Sequence, residues 1–108
     1  MNHQEKIQKL NDAFRETLQG GRIVFTAGIA NLEAAAREKA LFKMQTFCDF
    51  EEGDDPYKEH DFGAFVIDNT KYFFKIDYYA RNLQHGSENP ADPTKTTRVL
   101  TLMLASEY

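Results

Sequence analysis

The sequence predicts a single α+β domain spanning residues 1–108. The expected architecture is a mainly antiparallel sheet of about four strands with three helices, in the order α-β-α-β-β-β-α. Three observations carry this. Ile7, Leu10, Phe14 and Leu18 recur at the spacing of one helical face. Two aromatic and β-branched runs, 61–67 and 71–79, flank the short polar link Asp68-Asn69-Thr70, the pattern of a hairpin. The 108 residues are 42% hydrophobic and include nine Phe and five Tyr, enough for one core without disulfide or metal.

The elements follow in order. Residues 3–18 read as an amphipathic helix ended by Gly20-Gly21, because glycine takes the left-handed cap conformation without strain. Arg22 to Thr26 reads as a short buried strand, β-branched and aromatic. Asn31 is placed as the cap of a helix over 32–46, which Ala34, Ala35, Ala36 and Ala40 favour. Thr46 to Phe50 reads as either the end of this helix or a further short strand, with the strand preferred. Residues 51–60, EEGDDPYKEH, form a loop broken by Gly53 and Pro56. The hairpin comes next, then a turn-rich loop over 80–92. Asp92-Pro93 is read as the start of a last helix with Val99, Leu100, Met103 and Leu104 on its buried stripe.

A two-residue turn at Asp68-Asn69 sets the hairpin register. Ile67 then faces Thr70, Phe65 faces Tyr72, Gly63 faces Phe74, and Phe62 faces Lys75; extended further, Asp61 faces Ile76 and His60 faces Asp77. Side chains alternate. One face carries Phe65, Ile67, Tyr72, Phe74, Ile76 and Tyr78 as core; the other carries His60, Phe62, Ala64, Phe73, Lys75, Asp77 and Tyr79. A three-residue turn would set Asp61 against Asp77, which like charges disfavour.

Charge excludes several classes of function. The net charge is −4, from 13 basic and 17 acidic residues. Residues 51–63 hold six acids and one base, while the remainder is nearly balanced. No broad basic footprint is present, so direct nucleic-acid binding is not expected. No apolar run spans a bilayer, and the N-terminus has no continuous apolar stretch of the secretory kind. A single cysteine, Cys48, forms no internal disulfide. The expectation is a cytoplasmic protein without cofactor or metal. The acids Glu51, Glu52, Asp54 and Asp55 lack the calcium-hand spacing, and His3, His60 and His85 lack zinc spacing.

Two groups of residues are candidate sites. His60 with Asp77 reads first as a cross-strand ion pair that closes the hairpin; the secondary reading is a general-base dyad, with Lys75 or Tyr79 as helper. Glu51, Glu52, Asp54 and Asp55 form an acidic patch suited to a basic partner surface, with Tyr57 and Tyr79 as aromatic anchors; the alternative is a solvated loop. Cys48 with His60 as nucleophile and base rests on no local signature, and free cysteines are usually small core residues.

The stretches DPYKEHDFG at 55–63, KIDYY at 75–79 and ADPTKTTRVLTLMLASEY at 91–108 resemble the bacterial family known as domain of unknown function 3768; LNDAFRETLQGGRIVFTAGIA at 10–30 resembles it too. The resemblance implies a small, single-domain bacterial protein of a kind associated with plasmids and other mobile DNA. It implies no activity, substrate or catalytic residue.

Two functions are therefore expected. The first is a non-enzymatic protein-binding factor, in one specific form a mobile-element inhibitor of a bacterial defence system of the anti-CRISPR or anti-restriction type. The second is a small enzyme or ligand-binding domain on the polar hairpin face, using His60, Lys75, Asp77 and Tyr79. A homodimer through the exposed sheet face is compatible with either.

Overall fold

The computed structural model describes all 108 residues, Met1–Tyr108. Helix α1, His3–Thr17, begins where the Asn2 side chain accepts a hydrogen bond from the Glu5 N–H at 2.8 Å, which satisfies an otherwise orphaned donor. It ends at Leu18, itself in the left-handed conformation with φ 61°. Its buried face is Ile7, Asn11, Phe14 and Arg15, so two polar residues stand where an all-apolar stripe was expected. Strand β1, Gly21–Phe25, follows, and it is not the buried strand expected: it lies at the sheet edge with Val24 and Phe25 exposed. A short helix α2, Ala27–Ala30, then occupies the expected turn. Asn31 closes α2, and the N-cap of α3, Ala34–Gln45, is Glu33.

The hairpin is strands β2, Phe62–Ile67, and β3, Thr70–Ala80. Its register is the expected one, with Ile67 opposite Thr70, Phe65 opposite Tyr72 and Phe62 opposite Lys75. Asp68 and Asn69 have φ of 49° and 65°, the paired left-handed conformations of a two-residue turn whose twist matches the strands. The Ile76 N–H also donates to the Asp61 carbonyl at 2.8 Å, which extends the pairing one step.

Two expected elements are replaced. Residues 46–50 form no strand. Phe47 and Phe50 are three apart, not alternating, and both rings turn inward onto Phe74 at 5.3 and 6.3 Å. Residues 96–104 form strand β4, Thr96–Leu104, where a helix was expected. The reason is an alternation hidden by polar members. Thr96, Arg98, Leu100 and Leu102 are all buried on one face, and Arg98 is tolerated there because it is hydrogen-bonded. Asp92-Pro93 does not cap a helix either: the Asp92 carboxylate accepts from the Thr94 N–H and hydroxyl at 2.9 and 2.6 Å, closing a tight turn. Ala105–Glu107 makes one 3₁₀ turn.

The sheet order is β1-β4-β3-β2. Strand β1 runs parallel to β4, and the other neighbours are antiparallel. The mainly antiparallel α+β domain with four strands and three helices therefore stands. One sheet face meets all three helices: Phe14, Ile29, Ala40 and Met44 join Tyr72, Phe74, Ile76, Leu100 and Leu102 in one core. No helix covers the other face, where Phe62, Phe73 and Tyr108 cluster at ring separations of 5.1 to 5.8 Å. No helix is long and apolar enough to cross a membrane.

Candidate functional site

The segment joining α3 to β2 holds the acidic loop, and its shape is set from within. The N–H groups of Asp54 and Asp55 donate to the Glu51 carbonyl at 3.0 and 2.8 Å. Asp55 is buried, 4% exposed. Its Oδ1 accepts from the N–H groups of Glu59 and His60 at 3.0 and 3.1 Å. A buried carboxylate holding two backbone donors fixes a loop firmly. Lys58 and His60 adopt φ of 56° and 58°, uncommon for non-glycine residues and held here by those bonds.

Helix α1 supplies the rest. The side-chain amides of Gln4 and Gln8 donate to the Lys58 carbonyl at 2.6 and 2.8 Å. The Asn11 amide donates to the Glu59 carbonyl at 3.0 Å. Asp12 accepts from His60 Nδ1 at 2.8 Å. These positions, 4, 8, 11 and 12, share one helix face. They form a polar stripe with helical period that the sequence reading missed. The available signal was three uncharged amides at that spacing beside the apolar stripe.

His60 therefore does not meet Asp77, and neither the expected cross-strand ion pair nor the dyad is formed. The left-handed turn at His60 swings its ring onto Phe50, stacked at 3.8 Å between centroids with 1° between planes. With Nδ1–H donating to Asp12, Nε2 is an acceptor, and the Gln8 amide lies 3.2 Å from it. Asp55 Oδ2 is 3.9 Å from the same nitrogen. Both imidazole nitrogens are thus engaged in tying the loop to α1.

Lys75 and Asp77 stay together on the open sheet face as a 2.8 Å ion pair. That hydrogen bond to Asp77 holds the Lys75 ammonium above its ordinary pKa. Tyr79 lies on the same face, opposite Thr97. No cavity is lined by Lys75, Asp77 or Tyr79. Cys48 is exposed, contrary to the core role usual for a free cysteine, and no hydrogen bond joins it to His60.

Beneath the loop lies a second polar network. Arg98 Nε donates to Asn11 Oδ1 at 2.8 Å, and Arg98 also donates to the Pro90 carbonyl. Asn11 Nδ2 donates to the Tyr78 hydroxyl, which donates to Glu59 Oε1, each at 2.8 Å. Burial pushes the Tyr78 phenol up and lowers the Arg98 guanidinium. Asp61, beside this network, is raised to about 6, first by burial and then by the Glu59 carboxylate, with Asp55 and Asp77 adding to it. Arg15 reaches Asp12 and the Phe47 carbonyl, at 3.0 and 3.1 Å, from under the Phe50 and Phe74 rings.

What faces outward is mainly acidic, with the exposed Lys58 as its one base. A hollow of about 360 Å³ is bounded by Gln8, Phe50, Glu51, Glu52, Lys58 and His60, with Asp55 at its floor. Glu51, Glu52 and Asp54 are exposed and take part in no salt bridge. Tyr57 stands out at 76% exposure. No three His, Cys, Asp or Glu side chains converge as a metal-ligand set.

No curated protein and no solved structure matches the chain. A family model described as "Protein of unknown function (DUF3768)" matches residues 25–107. The match takes in the whole acidic loop, the hairpin and β4, while α1 lies before its first residue. By that match over most of its length, the chain belongs to the DUF3768 family.

Proposed function

We propose that this protein is a small protein-binding factor that engages a basic surface of its partner through the 51–60 loop, with Tyr57 as anchor. The observation that supports it is the contrast within the loop. Its backbone is fixed by Asp55 and by Gln4, Gln8 and Asn11 of α1, and its His60 ring by Asp12, yet Tyr57 and the carboxylates of Glu51, Glu52 and Asp54 are left in solvent. A pre-ordered loop loses little conformational entropy on binding. A tyrosine offers large contact area with few rotamers, and unpaired acids steer a basic partner. Asp55 serves this surface from below, as its cap. Tyr79 belongs to the open sheet face and stands outside the patch. Inhibition of a bacterial defence system is one specific form of the reading, and it rests on the family resemblance.

The alternative, a small enzyme or ligand-binding domain, has less support. Lys75 and Asp77 satisfy each other on an open face, and the hollow beside His60 meets an imidazole whose nitrogens are both occupied.

The test compares three baits in quantitative affinity capture from a bacterial lysate: the native protein, Tyr57→Ala, and the triple reversal Glu51→Lys, Glu52→Lys, Asp54→Lys. A partner enriched by the native chain should be lost by roughly tenfold or more with Tyr57→Ala, as for an interface hot spot. The triple reversal should lose it too, with thermal stability of both variants unchanged. No enrichment by the native chain, or equal enrichment by all three baits, would sink the proposal.

A further inference from the structure

At the far end of strands β1, β3 and β4 is a cavity of about 480 Å³, lined by Gly20, Gly21, Arg22, Arg81, Thr96 and Thr97, with Pro93 at its edge. No lining residue is acidic, although acids outnumber bases in the whole chain by 17 to 13. The topology brings the two arginines together. Arg22 lies opposite Val99 on one side of β4, and Arg81 leaves β3 just past the Ala80–Thr96 pair on the other.

Both arginines are uncommitted. The side-chain hydrogen bonds made by arginine come from Arg15, Arg37 and Arg98. Neither Arg22 nor Arg81 enters a salt bridge. Thr96 is fixed at the floor, donating to the Asn89 carbonyl at 2.9 Å and bonded to Ser87. The Gly20 N–H, between helix and strand, has no backbone partner. Three acids of this region have other partners: Asp77, in the cross-strand row of Arg22, pairs with Lys75 at 2.8 Å, Glu88, which lines a neighbouring hollow with Arg81, pairs with Lys95 at 3.6 Å, and Asp92 is held by Thr94.

We propose that this cleft binds a small, polar, phosphate-bearing ligand, either inorganic phosphate or a sugar phosphate. Guanidinium forks match the paired oxygens of a phosphate, and two of them on one cavity favour a dianion. The exposed glycine backbone and the Thr97 hydroxyl add neutral donors beside the charge. The volume lies in the range of small-molecule sites. The lining has no aromatic or aliphatic side chain beyond Pro93, so nothing there would stack a nucleobase. That absence favours a phosphate or sugar phosphate over a nucleotide. The site is separate from the acidic loop and its proposed protein partner.

Amide and arginine Nε resonances, followed by NMR at constant ionic strength during titration, test this. The probes are inorganic phosphate, ribose 5-phosphate, adenosine monophosphate and sodium chloride. Saturable shifts confined to Gly20, Gly21, Arg22, Arg81 and Thr97 are expected with the first two. A larger affinity for ribose 5-phosphate than for phosphate identifies the sugar phosphate; equal affinity identifies the free anion. Arg22→Ala and Arg81→Ala should each weaken binding by about tenfold or more, while Lys43→Ala on the exposed side of α3 should not. Shifts of equal size with chloride, or spread over all basic residues, would overturn the site. Adenosine monophosphate binding more than about tenfold tighter than ribose 5-phosphate would overturn the ligand class.

Discussion

Asp61 is held near the mouth of the hairpin with its carboxylate half-buried among acids, and its pKa rises to about 6 from the ordinary 3.8. A raised carboxyl pKa means the fold binds this proton more tightly than the unfolded chain does. The stabilising contribution is complete below about pH 4 and is lost as pH rises through 6. Above that, the charged carboxylate destabilises the fold, by less than the full shift implies because solvent screens a half-exposed group. Asp61→Asn is therefore expected to be the more stable protein at pH 7.5 in urea unfolding, with the difference vanishing near pH 4. Equal stability of the two at pH 7.5 would refute this cause. Gly63 shows a steric limit at the same scale. A Cβ there would stand 2.3 and 2.6 Å from the ring of Phe74, a buried side chain at the centre of the core. Gly63→Ala should lower stability by about 1–3 kcal/mol, the usual cost of overpacking. A thermal melt unchanged from the native chain would show that the ring moves freely.

Among elements, the contact between α1 and β4 is the one with the most at stake. Arg98 is 3% exposed on the core face of a central strand, and Asn11 is 0% exposed on the helix above it. The guanidinium is tolerated through Asn11, the Pro90 carbonyl and the face of the Tyr78 ring, 5.3 Å away. Asn11→Ala would remove the acceptor for Arg98 and the amide donor for Glu59 and Tyr78 together. A loss of roughly 3–5 kcal/mol is expected, because a buried charge is left short of partners. The double variant Asn11→Ala, Arg98→Met should recover part of that loss in chemical denaturation, as the uncompensated charge is gone. No recovery would place the cost in packing alone.

On the scale of the molecule, the charge is segregated. The 51–55 acids sit on one rigid loop, and the Arg22–Arg81 cleft lies at the ends of β1 and β3. The proposed protein contact is therefore expected to weaken with added salt, since exposed charges are screened over about 10 Å at 0.1 M ionic strength. The uncovered sheet face carries exposed Val24 and Val66 beside the Phe62, Phe73 and Tyr108 cluster, with the Lys75–Asp77 pair between them.

Local patterns in the sequence determined much of this. The 3.6-residue spacing in 7–18 gave α1. The β-branched runs and Asp68-Asn69 gave the hairpin with its register, and the local excess of acids marked the loop. Each of these depends on neighbours within a few residues. Tertiary structure alone decided the remainder. Strand β4 was disguised because Arg98 broke its apolar alternation, and only Asn11, far away in the chain, makes that arginine acceptable in a core. Phe47 and Phe50 fit a strand by local pattern, but their inward turn depends on Phe74. The ladder stops one residue short of setting His60 against Asp77. The buried Asp55 caps the loop just before the strand and turns the imidazole to Asp12. A backbone bent by a side-chain cap leaves no periodic trace, so its outcome is fixed only when the helix and loop meet.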